Sequence, residues 1–276
     1  MSNAKLILDM SNNEYHAHSA LSSSQIKDVL RSPAHFFDKH IKPGELKEPT
    51  ANMLLGTLVH SLVLEPESFD SEYAISQKFD RRTKKGKADA KAFEEANADK
   101  TIIDQDMYDQ AQAIANSIHT HPVAKLLMLP NMINEASIFY TDPLNGLACR
   151  VRPDYHLPPC DAFPNGLIVD LKSTDNATNK AFQRTIVNFG YHVSAAMYQD
   201  GYMAYYKTVE APAYIWLVVE RDSPYASIAY TPSDESLEKG HDKKNEALKI
   251  ISECRQSSYW PAYDQEVLEI NLPAWA

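Results

Sequence analysis

The chain has 276 residues, of which 44% are hydrophobic and 23% charged, the profile of a soluble globular protein with enough apolar material for a sizeable core in one large domain. Its formal net charge of -10 sets the sign opposite to that of a phosphate binder, so any nucleic-acid contact must come from a local concentration of cations. Three widely spaced cysteines, Cys149, Cys160 and Cys254, exclude a four-thiolate iron–sulfur cluster. With no secretory pattern at the start and no apolar run near the roughly 18 residues of a membrane helix, they point to a reducing, cytoplasmic setting.

The first helix signal is Ser22-Ser23-Ser24-Gln25, a capping sequence that opens an amphipathic run through Leu30. Pro33 starts either a break or a short helix ending near His40, and 41–50, with Pro43, Gly44 and Pro49, reads as a loop. Residues 51–64 (ANMLLGTLVHSLVL) are apolar on all sides and predict a buried helix stopped by Pro66. Between Phe79 and Lys91 the chain is basic and is expected to be partly disordered. Arg81, Arg82, Lys84, Lys85, Lys87 and Lys91 form either a loop touching a phosphate backbone or a solvated approach to a helix over 88–98. A longer helix is expected over 104–128, with His119 and His121 at its surface.

The texture changes after Pro130. Residues 136–140 and 147–151 predict a hairpin around the turn Asp142-Pro143-Leu144-Asn145-Gly146, and 157–165 is a Pro-rich loop. A short apolar strand covers 166–171. Residues 178–207 read as one long helix or as two divided at Gly190; strands follow at 213–219 and 225–230, then a helix over 234–256. This order predicts an α/β fold with a mixed central sheet flanked by helices: a mainly helical portion over 1–130 and an α/β core over 131–276 of one domain.

The chemistry-bearing residues are Arg152-Pro153-Asp154 and Val169-Asp170-Leu171-Lys172. With Asp154 ending one strand of the hairpin and Asp170 near the end of the next strand, the two carboxylates can converge on one cation. Side by side, each raises the other's pKa; Mg²⁺, a hard cation that takes oxygen ligands, removes that cost. Period-two alternation puts Lys172 on the face of Asp170, beside the metal, where it could orient the attacking water or neutralise charge on a phosphate. The Leu171 side chain then faces the core, and its carbonyl could be a further oxygen ligand. The alternative for Asp170 and Lys172 is a salt bridge on an edge strand. His60 is either a core histidine or a metal ligand, with Gly56 allowing another backbone to approach one turn away. Glu135 is either a solvated strand-end charge or a member of the same cleft.

Taken in order, Gly56-Thr57-Leu58-Val59-His60, Glu135, Pro153-Asp154, Asp170-Leu171-Lys172 and the run from Tyr191 through Tyr198-Gln199 to Tyr202 resemble the RecB-like PD-(D/E)xK nucleases. The similarity is to the RecE-type exodeoxyribonucleases, and it extends to Ser22-Ser23-Ser24-Gln25-Ile26-Lys27 and Ser32-Pro33-Ala34-His35-Phe36. The resemblance implies a restriction-endonuclease-like core that degrades double-stranded DNA from its ends, 5′ to 3′. It implies Mg²⁺, with Mn²⁺ able to substitute, a homo-oligomeric ring around DNA, and a single-strand annealing partner. By matching position it makes His60, Asp154 and Asp170 metal ligands and Lys172 the catalytic lysine, and it puts Tyr191 and Tyr198 on the helix lining the DNA channel. One position departs: the family's usual glutamine, four residues before the tyrosine, is Ser194 here, too short to reach the same phosphate directly. Gln199 offers a substitute, but it lies about 140° around the helix from Ser194. An endonuclease or single-strand nuclease on the same fold, and a non-catalytic DNA-binding module, are the rival readings.

Overall fold

The computed structural model describes residues 4–42, 50–127, 129, 131–263 and 266–272. Most of the predicted loop over 41–50, together with Met128 and Pro130, lies outside the described residues. In chain order the elements are β1 (Lys5–Ile7), α1 (Asn12–Ala17), α2 (Ser23–Arg31), α3 (Pro33–His40), α4 (Ala51–Leu64), α5 (Phe69–Glu72), β2 (Tyr73–Ser76), α6 (Lys84–Ala96), β3 (Thr101–Asp104), α7 (Gln105–Thr120) and α8 (Ala124–Leu127). They continue with β4 (Ile133–Asn134), β5 (Ser137–Thr141), β6 (Ala148–Val151), β7 (Tyr155–Leu157), β8 (Leu167–Thr174), α9 (Asn179–Phe189), α10 (Tyr191–Tyr206), β9 (Ala213–Glu220), β10 (Ser227–Tyr230) and α11 (Asp234–Ser257). Among the described residues, no helix is long and apolar enough to cross a membrane.

Local chemistry sets most of these boundaries. Gln25 Oε1 accepts the Ser22 N–H at 2.9 Å at the start of α2, and Ser32 Oγ accepts the His35 N–H at 3.3 Å above Pro33, the first residue of α3. The helices α9 and α10 are divided at Gly190, whose φ of 61° is left-handed backbone. The basic stretch does not stay a loop: α6 begins at Lys84, because Thr83 Oγ1 accepts the Gly86 N–H at 2.9 Å and caps it. The expected helix over 88–98 is therefore earlier and ends at Ala96. The expected burial of α4 on all sides holds only for its second half; Ala51, Asn52 and Met53 are exposed.

Two sheets form the core. The larger is mixed, in the order β10-β9-β8-β7-β4, with β8 and β9 parallel and the other pairs antiparallel. The smaller is antiparallel, in the order β1-β5-β6, and contains the predicted hairpin. A separate parallel pair, β2–β3, brackets α6. The mixed sheet is buried on both faces. Leu167, Val169 and Leu171 of β8 pack with Leu58, Leu62, Ile114 and Ile118 from α4 and α7. Ile168 faces the other way, with Phe182, Ala195, Tyr202 and Trp216. Along β8 this alternation sends Asp170 and Lys172 toward α10. The small sheet is covered by α2, α10 and α11 through Ile26, Val29, Met197, Leu248 and Ile251. The helices of the first 130 residues thus clothe both sheets rather than forming a layer of their own.

Close approach fixes α10 against α11. A Cβ at Gly240 would meet the His192 carbonyl oxygen at 2.3 Å, so only glycine fits there. Nearby, Lys244 of α11 pairs with Asp200 of α10 and, at 3.3 Å, with Asp142 of the hairpin turn. Asp142 is fully buried and also holds the turn, its Oδ1 accepting the N–H groups of Leu144 at 3.1 Å and Asn145 at 2.9 Å.

Candidate active site

The chain passes between the two sheets twice, and each passage carries an acid. Glu135 lies between β4 of the mixed sheet and β5 of the small one; Asp154 lies between β6 of the small sheet and β7 of the mixed one. The passages run side by side, the Glu135 N–H donating to the Asp154 carbonyl at 3.1 Å. Asp154 therefore does not end a hairpin strand. The hairpin belongs to the small sheet, and β7, which follows Asp154, pairs with β8. Glu135 adopts φ 48°, a left-handed conformation uncommon for a non-glycine residue, of a kind that clusters at functional sites.

These passages and α4 converge. One nitrogen of His60 and one carboxylate oxygen each from Glu135 and Asp154 all lie within 4.8 Å of one another. His60 Nδ1 is 3.5 Å from Asp154 Oδ1, so the histidine faces the acids rather than filling the core. The Gly56 argument does not hold: a Cβ there would meet nothing tighter than Ser173 Oγ at 3.8 Å, so no close backbone approach requires glycine. Asp154 Oδ2 also accepts the Leu171 N–H at 2.5 Å, which ties the passage to β8 one residue beyond Asp170.

Asp170 and Lys172 sit on the central strand β8, not on an edge, with Lys172 Nζ 2.5 Å from Asp170 Oδ2. The side chains are 3% and 18% exposed, so the carboxylate is enclosed and the ammonium is reached from one side. Lys172 Nζ also donates to the Leu171 carbonyl at 3.0 Å. That contact uses one of the two lone pairs of the oxygen expected to serve as a further ligand. Burial, then Asp154, pushes the Asp170 carboxyl above its ordinary range despite the opposing pull of Lys172. Burial would lower Lys172, but Asp170 and Asp154 outweigh it and raise it.

Glu135 is pushed up to about 8, by burial first and then by Asp154, while Arg152 opposes. Below pH 4.5 both the folded and the unfolded chain hold this proton. Between about 4.5 and 8 the folded chain alone does, so the group's contribution to stability falls as pH rises through that window. In metal-free protein, Glu135→Gln is expected to raise the thermal midpoint by a few degrees at pH 8 and to leave it unchanged at pH 4.5. Melting curves that shift equally at both pH values would remove Glu135 from this enclosed position.

The donor set fits a divalent cation. Glu135 and Asp170, buried carboxyl groups with raised pKa values, call for positive charge nearby. One of their oxygens, Asp170 Oδ2, is buried and, among the described residues, is met only by the Lys172 ammonium. His60, Glu135 and Asp154 supply one imidazole and two carboxylates within reach of one ion, an oxygen-rich set, and Asp170 lies beside them outside that group.

Sequence reasoning left Tyr15, Arg150 and Arg152 without roles. The Tyr15 ring has the Arg152 guanidinium 4.2 Å and the Arg150 guanidinium 4.9 Å from its centroid. Arg152 bonds Ser137 Oγ at 2.9 Å, Asn12 Oδ1 at 2.6 Å and the Met10 carbonyl at 2.7 Å. This cluster braces the passages bearing the two acids. The arginine immediately before Pro153-Asp154 was the available signal.

The DNA-contact candidates divide. Tyr191 is half-buried, its ring centroid 5.2 Å from Lys172 Nζ, and Tyr198 is half-buried on the same helix. Ser194 is buried and accepts from Lys27 Nζ at 3.1 Å. Gln199 is a correction: it is 2% exposed and donates to the Pro212 carbonyl at 2.9 Å, so it cannot replace the missing glutamine at the surface. Arg81 is paired with Glu94 at 2.6 Å and Arg82 with Asp80 at 2.9 Å. Lys84 and Lys85 are exposed at the start of α6. None of these four is paired with a carboxylate of the cluster.

No curated protein matches this chain. A solved structure of a proposed exonuclease from Eubacterium rectale is similar over 96% of this chain and 97% of that one, with 14% identity and a TM-score of 0.61, which supports the restriction-endonuclease-like fold. A second solved structure, that of SSO0001, covers 72% of this chain and 86% of that one at 12% identity, but its TM-score of 0.32 carries no argument. Residues 22–270 match the PDDEXK-like domain of unknown function (DUF3799), and the chain belongs to that family.

Proposed function

We propose that this chain is a Mg²⁺-dependent exodeoxyribonuclease that degrades double-stranded DNA from its ends, 5′ to 3′, with Mn²⁺ able to substitute. The observation that carries this reading is the gathering of His60, Glu135 and Asp154 beside the Asp170–Lys172 pair. His60, Glu135, Asp154 and Asp170 would hold the cation. When bound, it supplies Lewis-acid polarisation of the phosphate and of the attacking water. Lys172, held against Asp170 and the Leu171 carbonyl, directs its remaining N–H toward the non-bridging oxygen on which charge builds. Tyr191 and Tyr198 flank the strand being cut, and Lys84 and Lys85 attract the duplex at longer range. The reading extends to a cytoplasmic homo-oligomeric ring, acting in phage-type recombination with a single-strand annealing protein that receives the 3′ strand.

Linear and covalently closed circular duplex, each with Mg²⁺ and with EDTA, test it. The expected result is loss of the linear duplex alone, in Mg²⁺ alone, with release of 5′-mononucleotides. Cutting of the closed circle would favour the endonuclease reading, and salt-dependent binding without cutting would favour a non-catalytic DNA-binding module.

A further inference from the structure

We infer that Lys27, a cation that α2 brings against α10 beside Lys172, grips a DNA phosphate next to the one being cut. The inference rests on the nuclease reading above. Lys27 is 167 residues from Ser194 in sequence, yet its Nζ donates to Ser194 Oγ at 3.1 Å. Its stem lies against Gly190: a Cβ there would meet Lys27 Cδ at 2.7 Å. The left-handed glycine that divides α9 from α10 thus also leaves room for this side chain. The ring of Tyr191 has Lys172 Nζ 5.2 Å from its centroid and Lys27 Nζ 6.0 Å from it. Two ammonium groups therefore share one aromatic ring at the site.

Their surroundings differ. Lys172 has Asp170, whereas among the described residues no carboxylate lies within ion-pair distance of Lys27. Asp28, its neighbour in sequence, is taken by Lys39 at 2.8 Å and His40 at 2.6 Å. A half-buried ammonium without a counter-ion and close to a second one is unfavourable in the free protein. Burial, and then Lys172, lowers Lys27 to about 8, which still leaves it mostly charged at neutral pH. A phosphate oxygen laid along Tyr191 supplies the missing anion, and a charge-assisted bond there is stronger than a neutral one.

The test is binding of a labelled linear duplex by the full chain without divalent metal, followed by anisotropy across a series of KCl concentrations. Lys27→Met is expected to weaken binding about tenfold at about 0.1 M KCl and to reduce the slope of log affinity against log salt by about one, so that the deficit shrinks as salt rises. Lys27→Arg is expected to keep both. With metal added, Lys27→Met is expected to raise KM by about tenfold with kcat nearly unchanged. If Lys27→Met does not fold by circular dichroism, Lys27→Gln, which keeps a polar end without the charge, is read against the same expectations. Affinity and salt slope equal to those of the unaltered chain would overturn the assignment of Lys27 while leaving the nuclease reading standing. Absence of salt-dependent binding by the unaltered chain would overturn both.

Discussion

Asp170→Asn is expected to lower the rate of duplex digestion about 10³-fold or more, the scale at which a single preorganised charge acts on a developing transition state. The change keeps the size of the side chain and an oxygen toward Lys172, but removes the buried charge that both the cation and the lysine require. Folding is expected to survive. The aspartate's own pKa is raised by burial, so its ionisation is a cost to the folded state that asparagine lacks, set against the lost ion pair with Lys172. Release of acid-soluble nucleotide from linear duplex, with thermal melting as the control, measures the effect. A variant that melts like the unaltered chain and keeps a tenth of its activity would take Asp170 out of the chemistry.

The largest expected loss of stability comes from Lys244→Met, away from the candidate site. The lysine answers two carboxylates at once, and one of them, Asp142, has no exposed surface. Removing one partner of a buried ion pair strands the other, at a cost of about 3–5 kcal/mol. The penalty arises from the abandoned charge rather than from lost attraction, so Lys244→Met combined with Asp142→Asn should recover part of it. Urea denaturation gives the comparison. A single-variant loss below about 1 kcal/mol would show that water reaches Asp142 and that the network is ordinary surface pairing.

Much of this molecule was legible in its sequence, for identifiable reasons. Asp170 and Lys172 share a face because strands alternate with period two, and the starts of α2 and α3 and the division of α9 from α10 follow from Ser22, Pro33 and Gly190, whose chemistry acts over a few residues. The two passages between the sheets were not legible. They depend on β4 and β7, only two and three residues long, too short to show periodicity and formed only because β8 is there to pair with. Nothing in the sequence around Lys27 marks it out, since its contact is with a residue 167 positions away. Gln199 was misplaced because spacing along a helix says which residues share a face, not which face the core will claim. The basic stretch read as disordered because its charges are conspicuous and one capping threonine is not.

His60, Glu135 and Asp154 are supplied by separate segments, the last two from neighbouring crossings between the two sheets, so their mutual distances are fixed by how those sheets are seated on each other. An ion held there would act as a fastener for the assembly as well as a reagent. By reciprocity, whatever loosens the seating must weaken affinity for the ion to the same extent, and saturation with the ion must slow opening of the small sheet. Hydrogen exchange along β5 and β6 would then gauge occupancy of an ion to which neither strand contributes a ligand.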